Sequence, residues 1–190
     1  MPLVFATNNP NKIAEIQNQL SEGYDFKSLK EIGCLEEIPE TSGTIEGNAR
    51  QKARYVKDNY GYDCFSEDTG LLIDALDDAP GVDTAHYAGP QRDATDNNQK
   101  VLQNLEDKAQ RTARFKTVIC LVRGDEEHFF EGICEGHIAA IPTGEDGFGY
   151  DPIFIPTEGD GRTFAQMNKT EKQAISHRGR AVRKLVEFLK

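Results

Sequence analysis

The apolar positions change rhythm within the first twenty residues. Leu3 to Thr7 is a nearly continuous apolar run, after which Ile13, Ile16 and Leu20 recur at spacings of three and four. The run predicts a buried strand, and the recurrence predicts a helix with one inward stripe. Asn9 is placed as an N-cap and Pro10 as the first helical residue, where a missing N–H costs nothing. A second stripe, Ile45, Ala49, Ala53 and Val56, marks a helix over Thr44 to Asn59. A third, around Val101, Leu102 and Leu105, marks one over Asp96 to Lys108. Tyr24 to Ser28 reads as a strand, Asp63 to Glu67 as a short strand that "SEDTG" brings to its end, and Leu71 to Ala75 as a further apolar stretch of sheet. Lys30 to Gly43 reads as an acidic loop, and "DAPG" at 78–81 as a turn.

From Ala113 to Ala139 the period falls to two. Phe115 to Val122 and Glu127 to Ile138 alternate, are rich in branched and aromatic side chains, and flank "RGDEE" as a hairpin turn. "GEDGFGYDPIFIP" is a glycine-bounded loop entering a strand. Thr170 with Gln173 fits a capping box that opens a last helix, carrying Ile175, Val182, Leu185, Val186 and Leu189 inward. This mixture predicts an α/β fold, a sheet flanked by helices with an antiparallel section.

A length of 190 residues predicts one domain over 1–190, or two lobes sharing a core. No apolar run approaches the ~18 residues of a spanning helix, and the start lacks the pattern of a secretory leader. A cytoplasmic chain without a membrane partner is the expectation. The net charge of −10 argues against a nucleic-acid partner, because duplex binding needs a basic face. It leaves room for a small anion, since a few local cations and a divalent metal dominate at short range. Cys34, Cys64, Cys120 and Cys134 show no C-x-x-C spacing and are expected to be small buried side chains.

Three stretches carry candidate chemistry. A helix starting directly after a strand gathers backbone N–H groups and a positive dipole end, and Thr7 to Lys12 begins such a helix. Lys12 in the first turn opposes that dipole by ~0.3–1 kcal/mol unless an anion lies nearby. Neither a P-loop nor a G-x-G-x-x-G pattern is present. In "SEDTG", Glu67 and Asp68 fall on opposite faces of their strand, so one can face a ligand while the other serves elsewhere. Glu40 lies in the acidic loop "EEIPETSG", and several carboxylates around one point suit a hard divalent cation such as Mg²⁺. An aspartic protease would need a second DTG or DSG, which is absent. In "GFGYDP", Gly147 and Gly149 flank Phe148 and allow an exposed ring that can stack on a base. Gly179 sits inside the last helical pattern, just after Ser176, His177 and Arg178.

Six segments in order, "TNNPNK" (7–12), "EGNARQKA" (46–53), "SEDTGL" (66–71), "APGVDTAHYAG" (79–89), "GFGYDPIF" (147–154) and "EKQAISHRGRA" (171–181), are spread over nearly the full length of the chain. Through them the chain resembles the inosine triphosphate pyrophosphatase family, which hydrolyses ITP, dITP and XTP to the monophosphate and pyrophosphate. The resemblance implies an elongated mixed sheet flanked by helices, two lobes around a central cleft, a Mg²⁺ requirement and a homodimer. It implies that Thr7, Asn8, Asn9, Pro10, Asn11 and Lys12 meet the phosphates, joined by Lys52. Glu40 and Asp68 would serve the metal, Asp68 being also the proton acceptor, and Thr69 would touch the nucleotide. Phe148, Gly149, Tyr150 and Asp151 would line base and sugar, with Lys172, His177 and Arg178 closing the base end. Arg178 has only donors, so it suits the 6-keto oxygen of hypoxanthine or xanthine and not the 6-amino group of adenine. Asn8 stands where the family commonly has glycine, and His86 where bacterial members usually have arginine. A related pyrophosphatase for modified pyrimidine or methylated guanine triphosphates, and a nucleotide sensor without turnover, are the competing readings.

Overall fold

A computed structural model describes residues 2–20 and 24–190. Its strands are β1 (Leu3–Phe5), β2 (Phe26–Ser28), β3 (Cys64–Ile73), β4 (Thr112–Arg123), β5 (Glu126–Ile138) and β6 (Phe154–Pro156). They form one sheet in the order β2-β1-β3-β4-β5-β6. β1 is parallel to β2 and β3, whereas β5 and β6 are antiparallel, so the sheet is mixed. The helices are α1 (Pro10–Leu20), α2 (Ile45–Tyr60), α3 (Ala94–Asn104), α4 (Lys169–Ile175) and α5 (His177–Leu189). Among the described residues no helix is long and apolar enough to cross a membrane.

The chain divides into two compact units. The first comprises the chain up to Asp68 with Thr117–Gly132 and Arg178–Lys190; the second comprises Thr69–Lys116 and Ile133–His177. Strand alternation builds two separate cores in the first unit. Val4, Cys64, Cys120 and Val122 pack with Ala49, Ala53 and Val56 of α2. Their strand neighbours Phe5, Phe65, Ile119 and Leu121 pack instead with Ile16 and Leu20 of α1 and Leu185 of α5. A register shift by one residue would exchange the two sets. Phe5 and Phe65 stack with centroids 4.6 Å apart, a pairing that contributes ~0.5–1.5 kcal/mol beyond area burial. The second unit has its own core, in which Leu71, Ile73, Val101, Leu105, Phe115 and Phe154 are buried. All four cysteines are buried and unbridged, as expected of small apolar side chains.

Three expectations are corrected. β3 runs unbroken for ten residues, so Glu67 and Asp68 lie within it and not at its end. Leu71 and Ile73, both fully buried, carry it onward into the second unit's core. The last helix is two helices, because Ser176 turns extended (φ −71°, ψ 155°) between α4 and α5. Its capping box is formed by Asn168 and Glu171, not by Thr170 and Gln173.

Candidate active site

Thr7 and Asn9 close the start of α1 on itself. The Asn9 N–H donates to Thr7 Oγ1 at 3.1 Å, and the Asn11 and Lys12 N–H groups donate to Asn9 Oδ1 at 3.0 and 3.4 Å. Pro10 has no N–H to offer. The N–H groups of Asn9, Asn11 and Lys12 are therefore engaged by the cap, and the charge this corner presents is the Lys12 ammonium. Asn8, Pro10 and Asn11 are exposed around it.

β3 sorts the charged side chains by alternation. On one face Cys64 enters the α2 core, Ser66 Oγ donates to Ala49 O of α2 at 2.7 Å, and Asp68 meets Lys52 of α2 at 3.7 Å. On the other, Phe65 enters the α1–α5 core, and Glu67 meets Lys12 of α1 at 3.3 Å and Arg178 of α5 at 3.1 Å. Arg178 Nη1 also donates to Glu15 Oε2 at 2.5 Å. Lys52 Nζ reaches Glu40 Oε1 at 2.5 Å and donates to the Glu67 carbonyl at 2.8 Å. Glu67 thus holds both lysines, one through its side chain and one through its backbone.

Burial is the largest single influence on three of these groups. It pushes the Lys12 pKa down, with Lys52 and Arg178 adding to the effect and Glu67 opposing it. It pushes the Asp68 carboxyl up, with Lys52 and Lys12 opposing and Glu40 and Glu67 adding. At Arg178 burial works against the charge but is outweighed by Glu67 and Glu15, so the guanidinium stays firmly protonated.

Three cations, Lys12, Lys52 and Arg178, face four carboxylates, Glu15, Glu40, Glu67 and Asp68. A polyphosphate would add several negative charges to a group already short of positive ones. Glu40 and Asp68 are hard oxygen donors close enough to share the Lys52 ammonium, which fits a divalent cation held by one or two carboxylates and completed by water and phosphate oxygens. Among the described residues no group of three or more His, Cys, Asp or Glu side chains is placed to hold a metal by itself.

The second unit orders the remaining candidates. Asp151 is buried and accepts from Lys172 Nζ at 2.7 Å and from the Phe148 N–H at 3.0 Å. Gly147 takes φ +75°, and a Cβ there would collide with that carboxylate, which explains a glycine before Phe148. The Lys172 ammonium lies 4.8 Å from the centre of the Phe148 ring. Asn98 of α3 donates to Gly149 O at 3.1 Å, and the Tyr150 hydroxyl donates to Thr84 O at 2.6 Å. His177 is buried and stacks on Phe115, with centroids 4.5 Å apart. Thr69, half-buried, follows Asp68 along β3. The exposed His86 approaches Asp83 at 3.4 Å.

A model of the Ham1 family matches residues 3–188. The chain belongs to the Ham1 family. Among its relatives, the dITP/XTP pyrophosphatase of Flavobacterium psychrophilum is 55% identical over the full length of both chains. That of Bacillus subtilis is 46% identical, covering 98% of this chain and 96% of its own. Two solved structures superpose closely. A HAM1 protein from Coxiella burnetii does so with a TM-score of 0.92 at 38% identity, covering 100% of this chain and 98% of its own. The nucleoside-triphosphatase / dITP/XTP pyrophosphatase of Mycobacterium abscessus does so with 0.81 at 41%, covering 98% and 99%. For this Ham1-family chain, sequence reasoning singled out Lys12, Lys52, Glu40 and Asp68, which the fold gathers in its first unit. It missed Glu15 and gave Glu67 no role. Strand alternation was the signal available for Glu67, and Glu15 had none.

Proposed function

We propose that this Ham1-family chain hydrolyses the triphosphates of deaminated purines, ITP, dITP and XTP, to the monophosphate and pyrophosphate. The observation that carries this reading is the joining of Lys12 of α1, Lys52 of α2, Asp68 of β3 and Glu40 of the irregular segment before α2. Relatives that match over the full length and are named dITP/XTP pyrophosphatases supply the substrate class.

Lys12 and Lys52 would bind and orient the triphosphate, offsetting charge on its oxygens as point charges on flexible stems. Glu67 would keep the Lys12 ammonium in place, and Arg178 would compensate Glu67. Asp68 would take a proton from the attacking water, and its burial makes it a stronger base than an exposed aspartate. Glu40 and Asp68 would hold Mg²⁺, whose charge would stabilise the departing pyrophosphate. Positioning and charge neutralisation then carry the reaction at the α-phosphorus, since phosphoryl chemistry asks little covalent work of a protein.

The base and sugar are assigned to Phe148, Gly149, Tyr150 and Asp151 with Lys172 and His177, and Thr69 to the nucleotide. Asn8, Asn9, Pro10, Asn11 and Thr7 shape the corner that carries Lys12. Arg178 is assigned to the base end as well, although its Nε and Nη1 are held by Glu67 and Glu15 and would have to serve a keto oxygen in competition with them. A homodimer in the cytoplasm belongs to the same proposal.

The test is pyrophosphate release from ITP, dITP, XTP, ATP and GTP, each with Mg²⁺. Turnover confined largely to the first three is expected. Equal turnover of ATP or GTP would overturn the selectivity for deaminated purines, and no turnover of any of them would overturn the activity.

A further inference from the structure

The acidic segment from Cys34 to Thr44 contains no helix or strand, yet one face of α2 tracks it residue by residue. The hydroxyls of Tyr60 and Tyr55 donate to Glu36 Oε1 at 2.6 and 2.8 Å. Lys52 meets Glu40. The Thr41 N–H donates to Gln51 Oε1 at 2.7 Å, and Gln51 Nε2 donates back to Thr41 Oγ1 at 3.0 Å. The Ser42 N–H and hydroxyl both donate to Asn48 Oδ1, at 3.1 and 3.0 Å. Thr44 caps the helix by accepting from the Gly47 N–H at 2.9 Å. The segment ascends as the helix positions descend, so the two run antiparallel. Asn48, Gln51, Lys52 and Tyr55 share one helical face because they are three, four and seven residues apart.

Gly47 gives independent support. It lies in the first turn of α2, where alanine would serve the helix better. A Cβ there would come within 2.7 Å of both Ser42 Cβ and Thr44 Oγ1. The glycine is explained by how closely the segment lies on the helix.

We infer that Gln51 and Asn48 are positioning residues for Glu40. Glu40 sits in irregular chain with its side chain 43% exposed. Gln51 grips the next residue, Thr41, by both backbone and side chain, and Asn48 grips the one after. Together they fix the backbone that aims Glu40 at Lys52, beside Asp68. This inference rests on the metal-holding role proposed for Glu40.

Gln51→Ala tests it without weakening α2, since alanine is the best helix former. Thr41→Val, which keeps the N–H bond and loses only the hydroxyl, and Glu40→Gln accompany it. Three quantities are read: kcat and KM for ITP, Mn²⁺ affinity of the nucleotide-free protein by electron paramagnetic resonance, and the thermal midpoint. Gln51→Ala is expected to lower kcat and Mn²⁺ affinity by about 10–100-fold each, the usual effect of losing an outer-shell partner. KM and the thermal midpoint should stay near wild type, and Thr41→Val should give a smaller loss of the same kind. If Glu40→Gln is inactive while Gln51→Ala keeps wild-type kcat and Mn²⁺ affinity, the positioning role is overturned and the proposed role of Glu40 stands. If Glu40→Gln keeps both, the two fall together.

Discussion

Asp68 carries a charge that its surroundings resist. Burial holds its pKa above the ordinary 3.8, so the folded chain takes up its proton more readily than the unfolded chain does. As pH rises through the ordinary value and then the folded one, ionisation costs stability, and above both the cost is complete. Asp68→Asn removes that cost. Urea melts of the metal-free protein should therefore show the variant at least as stable as wild type at pH 7, with any gain vanishing below the ordinary carboxylate range. Its kcat should fall by ~10² or more through loss of the base. A variant that turns over normally would take Asp68 out of the chemistry. Arg178 behaves in the opposite way. It is 3% exposed, and Arg178→Ala would take the guanidinium from Glu67 and Glu15 and leave a cavity in its place. Stripping one partner from a buried ion pair costs roughly 3–5 kcal/mol, which should appear as a lowered urea midpoint. An unchanged midpoint would show that the network is not structural. Asp68 was legible in the sequence because "SEDTG" pairs a strand with acids. Glu15 was not, because its partner lies 163 positions away and nothing local marks it among the other acids.

Periodicity was enough to find α1, α2 and α3, although α3 runs Ala94–Asn104 and not Asp96–Lys108, and of the caps only Asn9 was read; each start rests on a side chain close in sequence. Thr44 accepts from Gly47 N–H and Asp93 from Asp96 N–H. The break at Ser176 was hidden for a physical reason. Ile175 and Val182 are seven residues apart, two helical turns, so the inward stripe continues across a break it does not register. The stretch read as acidic loop hid more, since hydrogen bonds and not apolar rhythm order it. Glu36 shows what such bonds contribute. Tyr60, the backbone and Tyr55 stabilise its carboxylate and lower its pKa to about 2 from the ordinary 4.5. The resulting stability is complete above the ordinary value and is lost as pH falls toward the folded one. Glu36→Gln should therefore melt below wild type at pH 6, and the two curves should converge near pH 2. A gap that persists at the acid end would assign the effect to packing.

At the scale of the molecule, the α/β class was legible because strand and helix periods alternate along the chain, whereas the strand order was not, since it depends on pairings between distant segments. Charge was legible in full, and it bears on how a substrate arrives. The chain carries 32 acidic against 22 basic side chains, a net charge of −10. The candidate site does not reverse that balance, because its three cations face four carboxylates. A nucleoside triphosphate, anionic even with one Mg²⁺ bound, therefore approaches against a repulsive field and gains favourable contacts only at short range. Raising ionic strength from about 0.01 M to about 0.1 M shortens the Debye length from ~30 Å to ~10 Å, which screens the distant repulsion while sparing the buried pairs. At fixed free Mg²⁺, kcat/KM for ITP should rise over that range while kcat stays level, because the field opposes encounter and not chemistry. A protein that steers its anionic substrate through a basic funnel would show the reverse, a steep fall in kcat/KM. Steady-state rates at matched free Mg²⁺ across a KCl series decide between the two, and a fall would mean that the cations near Lys12 and Lys52 outweigh the surface around them.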